Sequence, residues 1–201
     1  MKLIKAYHGT NTRFSQFDHS KARIANDFYG GGVAYFTDTI DVAKTYASNM
    51  FRRLGGDKFI YEVELKFQNL FDVDEMYTGD ILRKLIGSNT ETFARGAGLM
   101  KLGDDKYALA SKLKSGDIEL TGDQVFRGLS NGMQNTTRAR ETLKSCGFDG
   151  LRHNGGVNMG AQRHNVYLAY EARSIRIMNR FIVSNIPVPA SAFPEVYTFI
   201  H

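Results

Sequence analysis

The chain has 201 residues, 42% hydrophobic and 23% charged, a balance that fits a single soluble globular domain burying about 70% of its unfolded surface. Its one cysteine, Cys146, excludes an internal disulfide and a cysteine-rich zinc site; no window approaches the roughly 20 uninterrupted apolar residues of a membrane span. The start lacks the apolar core of a signal peptide, so the cytoplasm is the expected location, and a net charge of +5 without a long Lys/Arg run permits an anionic partner but does not single out nucleic acid.

Leu3–Tyr7 reads as a short strand ending at His8-Gly9-Thr10, where the glycine and Asn11-Thr12 mark a turn. Phe14–Ile24 has no clean period and is expected to be a loop with one helical turn, lying over whatever His8 lines. Within Tyr29–Tyr46, three consecutive glycines, Gly30-Gly31-Gly32, allow positive φ or a close approach to a ligand, and Val33–Phe36 reads as a buried strand. Thr37-Asp38-Thr39 supplies helix-starting groups, and Ile40, Val42, Ala43 and Tyr46 give a short amphipathic helix. The stretch thus delivers two tyrosines, Tyr35 and Tyr46, each of which taken singly reads as an ordinary core aromatic.

Leu54–Asp57 is a turn, and Phe59–Phe67 is the clearest strand: Phe59, Tyr61, Val63, Leu65 and Phe67 share one face, Glu62, Glu64 and Lys66 the other. Beyond Asp72 the pattern turns helical at Tyr77–Ile86, Asp105–Leu113, Gln124–Leu129 and Arg138–Ser145, with Thr90–Gly103, rich in Gly, Ala and Thr, read as loop. Cys146–Leu151 is a turn into a short strand, Asn154–Gly160 a loop, Asn165–Tyr170 a central strand and Ser174–Met178 a last strand. Pro187, Pro189 and Pro194 mark an extended C-terminal segment. The expected organisation is one domain over 1–180 with a helical insertion at about 72–145, followed by a tail over 181–201.

The order His8-Gly9-Thr10, then Gly-Gly-Gly-Val-Ala-Tyr35-Phe36-Thr37-Asp38, Tyr46, and late in the chain Gly147-Phe148-Asp149-Gly150 and Val166–Ile175, resembles the ADP-ribosyltransferases of the His-Tyr-Glu class, to which diphtheria-toxin-like and poly(ADP-ribose)-polymerase-like catalytic domains belong. Small prokaryotic and phage-encoded members are the most similar. The resemblance covers about 3–67 and 146–178, and it implies an α+β fold with a split pair of small β-sheets carrying helical insertions.

Breaking the bond between nicotinamide and ribose in NAD⁺ passes through an oxocarbenium-like ribose, so a site must hold both halves still and favour the neutral leaving group. A glycine at position 9 exposes backbone N–H and C=O to the carboxamide. By resemblance, Gly9 anchors the nicotinamide with Thr10 beside it, His8 hydrogen-bonds the adenosine ribose, Tyr46 stacks on the nicotinamide and Tyr35 supports the ring from the strand. Arg23 matches a basic position facing the adenosine or pyrophosphate, and reads equally as a solvated loop arginine. NAD⁺ is then the substrate and no metal takes part; the histidines show no metal-ligand spacing.

Three departures stand out. Val33-Ala34 puts one residue more than usual between the glycines and Tyr35, Ala43 falls where polymerase-like members carry a serine, and Val166 falls where the name-giving glutamate belongs. Alternation places His164 and Leu168 on the face of Val166, with Gln162 if the strand extends that far, and turns Asn165, Tyr167 and Glu171 away; a slip of one residue would put Asn165 in the pocket instead. The expected activity is mono-ADP-ribosyl transfer to an acceptor, a protein rather than a nucleic acid and in the host cytoplasm if the chain is phage-encoded. The alternatives are an inactive NAD⁺ or ADP-ribose binding module, and a phage structural or host-interaction protein that keeps the fold.

Overall fold

The computed structural model describes residues 1–21, 29, 33–100, 105–156 and 163–183. Among the described residues, nine strands and six α-helices follow one another as β1 (Lys2–Thr10), β2 (Tyr35–Thr37), α1 (Ile40–Leu54), β3 (Phe59–Phe67), β4 (Leu70–Asp72), β5 (Met76–Tyr77), α2 (Gly79–Ile86), α3 (Thr90–Gly96), α4 (Lys106–Ser115), β6 (Leu120–Thr121), α5 (Gly122–Leu129), α6 (Thr136–Ser145), β7 (Gly150–Gly155), β8 (His164–Ala169) and β9 (Ile175–Ile182). Single 3₁₀ turns lie at His19–Lys21 and Ala172–Ser174.

The α+β architecture expected from the sequence is present. Seven strands join in the order β4-β7-β8-β2-β1-β3-β9, and β5 and β6 form a separate two-stranded ribbon. The large sheet is split in its pairing. β1 is zipped to β3 through nine consecutive partners, from Lys2↔Phe67 to Thr10↔Phe59, but touches β2 through one, Tyr7↔Thr37. The two halves, β9-β3-β1 and β2-β8-β7-β4, therefore diverge on either side of that point.

Period-2 patterning accounts for β3. Its apolar face, Phe59, Tyr61, Val63, Leu65 and Phe67, is buried throughout and forms one core with Ile4, Ala6, Phe17, Phe36, Tyr167 and Ala169. A second, larger core joins the other face of β2, β7 and β8 to the helices of the insertion, through Tyr35, Val166, Leu168, Phe93, Val125, Phe126 and Leu143 among others. His8-Gly9-Thr10, read from sequence as a turn, completes β1, because the β3 partners Tyr61, Ile60 and Phe59 extend alongside it.

The 90–103 stretch is also corrected. Its first part folds as α3, whose Phe93 and Ala94 are buried, although the small-residue composition hides any period. The Phe93 ring lies where a β-carbon on Gly128 of α5 would come within 2.5 Å, so the helix is fixed by packing rather than by propensity. At the neck of the insertion, β4 pairs in parallel with β7, Leu70↔Gly150 to Asp72↔Arg152. Asp149 closes the neck by accepting the backbone N–H groups of Gln68 (2.6 Å) and Asn69 (3.1 Å). The proline-marked tail beyond Val183 lies outside the described residues.

Candidate active site

A narrow cleft opens where the two halves of the sheet part, lined by Tyr7, His8, Gly9, Tyr35, Phe36, Thr37, Tyr46 and Val166. Its volume is about 20 Å³, room for about one water. Four elements build it, the fourth being β8 with Val166. β1 contributes Tyr7 to Gly9, β2 contributes Tyr35 to Thr37, and α1 lays Tyr46 across them from above.

Gly9 is where α1 comes down on β1. A β-carbon there would lie 1.8 Å from the Ala43 carbonyl oxygen and 2.9 Å from the Ala47 amide nitrogen, and Ala43 and Ala47 are themselves fully buried. Packing alone thus demands glycine at this position. Thr10, next along the strand, is not among the residues lining the cleft; its hydroxyl accepts the Thr12 N–H at 3.2 Å.

His8 crosses the split. Its Nδ1 lies 2.8 Å from the Tyr35 carbonyl oxygen, a bond that joins β1 to β2 beside their single bridge, and its ring sits among Phe14, Phe17 and Phe36 with centroids 6.3, 5.3 and 5.7 Å away. Burial pushes the imidazole down to about 4, with the Tyr35 carbonyl opposing, so the ring is neutral near pH 7. Bonding to a carbonyl assigns the proton to Nδ1 and leaves Nε2 as the acceptor nitrogen.

On the far wall the strand register defines a transverse row. Tyr7 pairs with Thr37, Thr37 with Val166, and Val166 with His153, so these four side chains share one face of the sheet. Val166 is 7% exposed and forms the floor of the cleft at the position where the resemblance expects glutamate. His164 stands two residues before it, its ring folded over Gly155: a β-carbon on Gly155 would meet His164 Nε2 at 2.4 Å and Val166 Cγ2 at 2.9 Å.

Asn165 faces the other way, which rules out the slipped register. Its N–H and side-chain amide donate to the two oxygens of Asp38 at 3.0 and 2.5 Å, its Oδ1 accepts from Arg152 Nε at 2.9 Å, and Arg152 in turn is paired with Asp72. This chain of bonds spans β7, β8 and the ends of β2 and β4, and it fixes β8 with Val166 toward the cleft. Glu171, also turned away, pairs with Lys144 at 2.8 Å.

The structure therefore brings five of the sequence-nominated residues, His8, Gly9, Tyr35, Tyr46 and Val166, to one cleft. Arg23, Gly30-Gly31-Gly32 and Gln162 lie outside the described residues. Sequence reading passed over Tyr7, Phe36 and Thr37 as lining residues; the signal was their adjacency to His8 and Tyr35 on strands whose opposite faces both reach the split. Among the described residues, no group of three or more His, Cys, Asp or Glu side chains is placed to hold a metal ion, and no helix is long and apolar enough to cross a membrane.

A sheet split at its centre, a helix seated on a strand glycine and tyrosines from strand and helix around the opening define an ADP-ribosyltransferase-like α+β protein. The chain belongs to the family of ADP-ribosyltransferases in polyvalent proteins, whose model matches residues 2–179. No curated protein and no solved structure matches the chain.

Proposed function

We propose that the chain transfers a single ADP-ribosyl group from NAD⁺ to a macromolecular acceptor, a protein rather than a nucleic acid, by the chemistry of the His-Tyr-Glu class. The observation that carries this reading is the convergence of His8, Gly9, Tyr35, Tyr46 and Val166 on the cleft at the split. In this reading the nicotinamide enters between the tyrosines, its carboxamide on the Gly9 backbone and its ring stacked on Tyr46, a contact worth about 1–3 kcal/mol. His8, neutral and with Nε2 as acceptor, takes a hydroxyl of the adenosine ribose, with Thr10 beside it and Arg23 toward the pyrophosphate. The ribose–nicotinamide bond breaks with its electron pair leaving on neutral nicotinamide. A lone pair of the acceptor forms the new bond to the ribose carbon, and the acceptor's proton, where it has one, passes to water or to a neighbouring base.

Val166 sets the limit on the reaction. A carboxylate at that point would hydrogen-bond the ribose 2′-hydroxyl and polarise an incoming hydroxyl; valine does neither. Elongation, which needs a ribose hydroxyl as acceptor, is therefore excluded in this reading. The same residue favours a second reading, a module that binds NAD⁺ without turning it over.

One experiment separates them: thermal shift with millimolar NAD⁺, nicotinamide release and acceptor labelling, in the wild type, Val166→Glu and His164→Ala. Single transfer by the wild type supports the first reading. A thermal shift without nicotinamide release, with release appearing in Val166→Glu, supports the second. Absence of any shift and release in both wild type and Val166→Glu, or polymer made by the wild type, overturns the assignment.

A further inference from the structure

Besides the core it shares with Tyr35 and Val166, the insertion makes a polar contact with the segment ahead of β2. Tyr29, just ahead of the three glycines in sequence and six residues before Tyr35, is 8% exposed, and its hydroxyl donates to Asp123 Oδ1 at 2.6 Å. Asp123 lies in the first turn of α5, where a carboxylate is favoured by the helix dipole, and its other oxygen accepts from Arg127 Nε at 2.7 Å. The Tyr29 ring stands edge-on to Phe126 of the same helix, with centroids 5.0 Å apart, and against His153 of β7 at 4.9 Å. His153 is the residue that faces Val166 across the β7–β8 ladder. Tyr29 is thus held on one side by the insertion and on the other by the row that floors the cleft.

Helix α5 is itself firmly placed. A capping box between Thr121 and Gln124 starts it, the Gly122 and Asp123 N–H groups donate to the Glu75 and Val73 carbonyls at 2.8 and 2.9 Å, and a β-carbon on Gly122 would lie 2.3 Å from the Asp72 carbonyl oxygen. Asp123 is therefore a fixed point relative to the end of β4 and, through the Asp72–Arg152 pair, to the strand bearing His153. Tyr29, Val33, Tyr35 and Val166 belong to the same buried cluster as Val125 and Phe126. Burial and the neighbouring Asp123 carboxylate hold the phenol far above its usual range, so it stays a donor throughout the physiological range.

We infer that Asp123 is a positioning residue for the cleft: through the Tyr29 hydroxyl it holds the Tyr29 ring against His153 and the buried cluster that contains Val33, Tyr35 and Val166, and so tunes how NAD⁺ is gripped. The inference rests on the NAD⁺ reading of the cleft. It gives the insertion a task in the reaction beyond filling a core, and it predicts that an interaction with no ligand contact changes substrate affinity.

The test compares Tyr29→Phe, Asp123→Ala, the double variant and Asp123→Asn, which keeps an oxygen to accept the Tyr29 hydroxyl. Three quantities are followed: KM for NAD⁺ (or Kd, if the protein binds without turnover), kcat, and amide hydrogen exchange at Tyr35–Thr37 in the ligand-free protein. Tyr29→Phe and Asp123→Ala are each expected to raise KM or Kd about three- to tenfold with kcat within about twofold. The double variant should add nothing further, Asp123→Asn should stay close to the wild type, and exchange at Tyr35–Thr37 should quicken in the first three variants alone. Additive effects, a lower melting temperature with unchanged KM and exchange, or an Asp123→Asn as impaired as Asp123→Ala would overturn the inference. If the wild type binds no NAD⁺, the reading of the cleft fails; the exchange data still decide whether Asp123 governs the β2 segment.

Discussion

The two edges of β1 are a study in contrast. Toward β3 the strand is paired at every residue from Lys2 to Thr10, over a face buried down to Val63, Leu65 and Phe67. Toward β2 the paired register is a single bridge at Tyr7↔Thr37, with His8 Nδ1 bonded to the Tyr35 carbonyl beside it. The same nine residues thus serve as part of a rigid scaffold on one side and as a lip on the other. A cleft needs walls that can separate without unfolding, and unpaired backbone beside a closed ladder provides that. The lesson is that the position of an opening is set by where pairing stops, while its precision comes from the edge where pairing is complete.

The largest expected effect falls on the residue where both edges meet a third element. Gly9→Val forces side-chain atoms into the α1 backbone at Ala43, so it should lower stability by several kcal/mol, on the order of the upper range for overpacking, and abolish ligand binding through displacement of α1. From the sequence, Gly9→Val is expected to weaken NAD⁺ binding far more than it perturbs folding; the 1.8 Å approach to Ala43 adds a large folding cost to that expectation. Its counterpart on the closed edge is Val63→Ala, which should cost about 2 kcal/mol by leaving a cavity and spare binding. Urea unfolding with a parallel NAD⁺ titration checks both; a Gly9→Val protein as stable as the wild type would break the contrast.

Acid should act next, and on the open edge. The His8 pKa, about 4 in the folded state, lies below its ordinary 6.5, so the native state resists the proton that the unfolded chain accepts. The stability that the neutral ring confers is complete above pH 6.5 and is lost as pH falls from 6.5 through about 4, up to about 3 kcal/mol at the acid end. His153, also pushed down to about 4 by burial, adds in the same direction. Unfolding free energies measured between pH 7 and 4 should fall less steeply in His8→Gln than in the wild type, by about one proton's worth of slope. An unchanged slope would remove His8 from the account.

The smallest effect is expected at the staple behind the cleft. Asn165→Ala removes the side-chain bonds to Asp38 and Arg152 while keeping the backbone N–H bond to Asp38, and should cost about 1–2 kcal/mol. Any NAD⁺ cleavage should then fall through misplacement of β8, and Asn165→Asp, which repels Asp38 while still accepting from Arg152, should be worse than alanine. An Asn165→Ala protein that loses activity with full stability and unshifted Val166 neighbours would instead place the amide in the chemistry.

These contrasts bear on what could be read in the chain before its structure. β3 was legible to the residue because alternation over nine positions has one solution, and the tyrosine-bearing β2 and α1 followed from the glycines and Thr-Asp-Thr ahead of them. The parallel β4–β7 neck was not, because three residues carry no period and the partner lies about eighty positions on. α3 was missed because its fixing contact is another helix. At the site, residue types and order nominated five cleft residues, with Val166 placed by resemblance and Asn165 as the outcome of a one-residue slip, since alternation gives two faces without saying which is inward. Asp38 and Arg152 make that choice through side-chain bonds across strands that no local pattern contains.

The parallel neck has a consequence for how such a chain can change over generations. Because β4 and β7 lie side by side, with Asp149 closing the turn onto Gln68 and Asn69, everything between them leaves and re-enters the sheet at neighbouring points. Helices there can vary in length without changing where the chain rejoins the sheet, provided the core they share with Tyr35, Val166 and Leu168 is kept. Among the described residues, the shared core around Val125 and Phe126 and the bond from Asp123 to Tyr29 connect those helices to the side of the sheet that carries Tyr35 and Val166. A replacement that kept that core and that carboxylate would leave the cleft its present support; one that lost them would be felt at Tyr35 and Val166 before it was felt at β3.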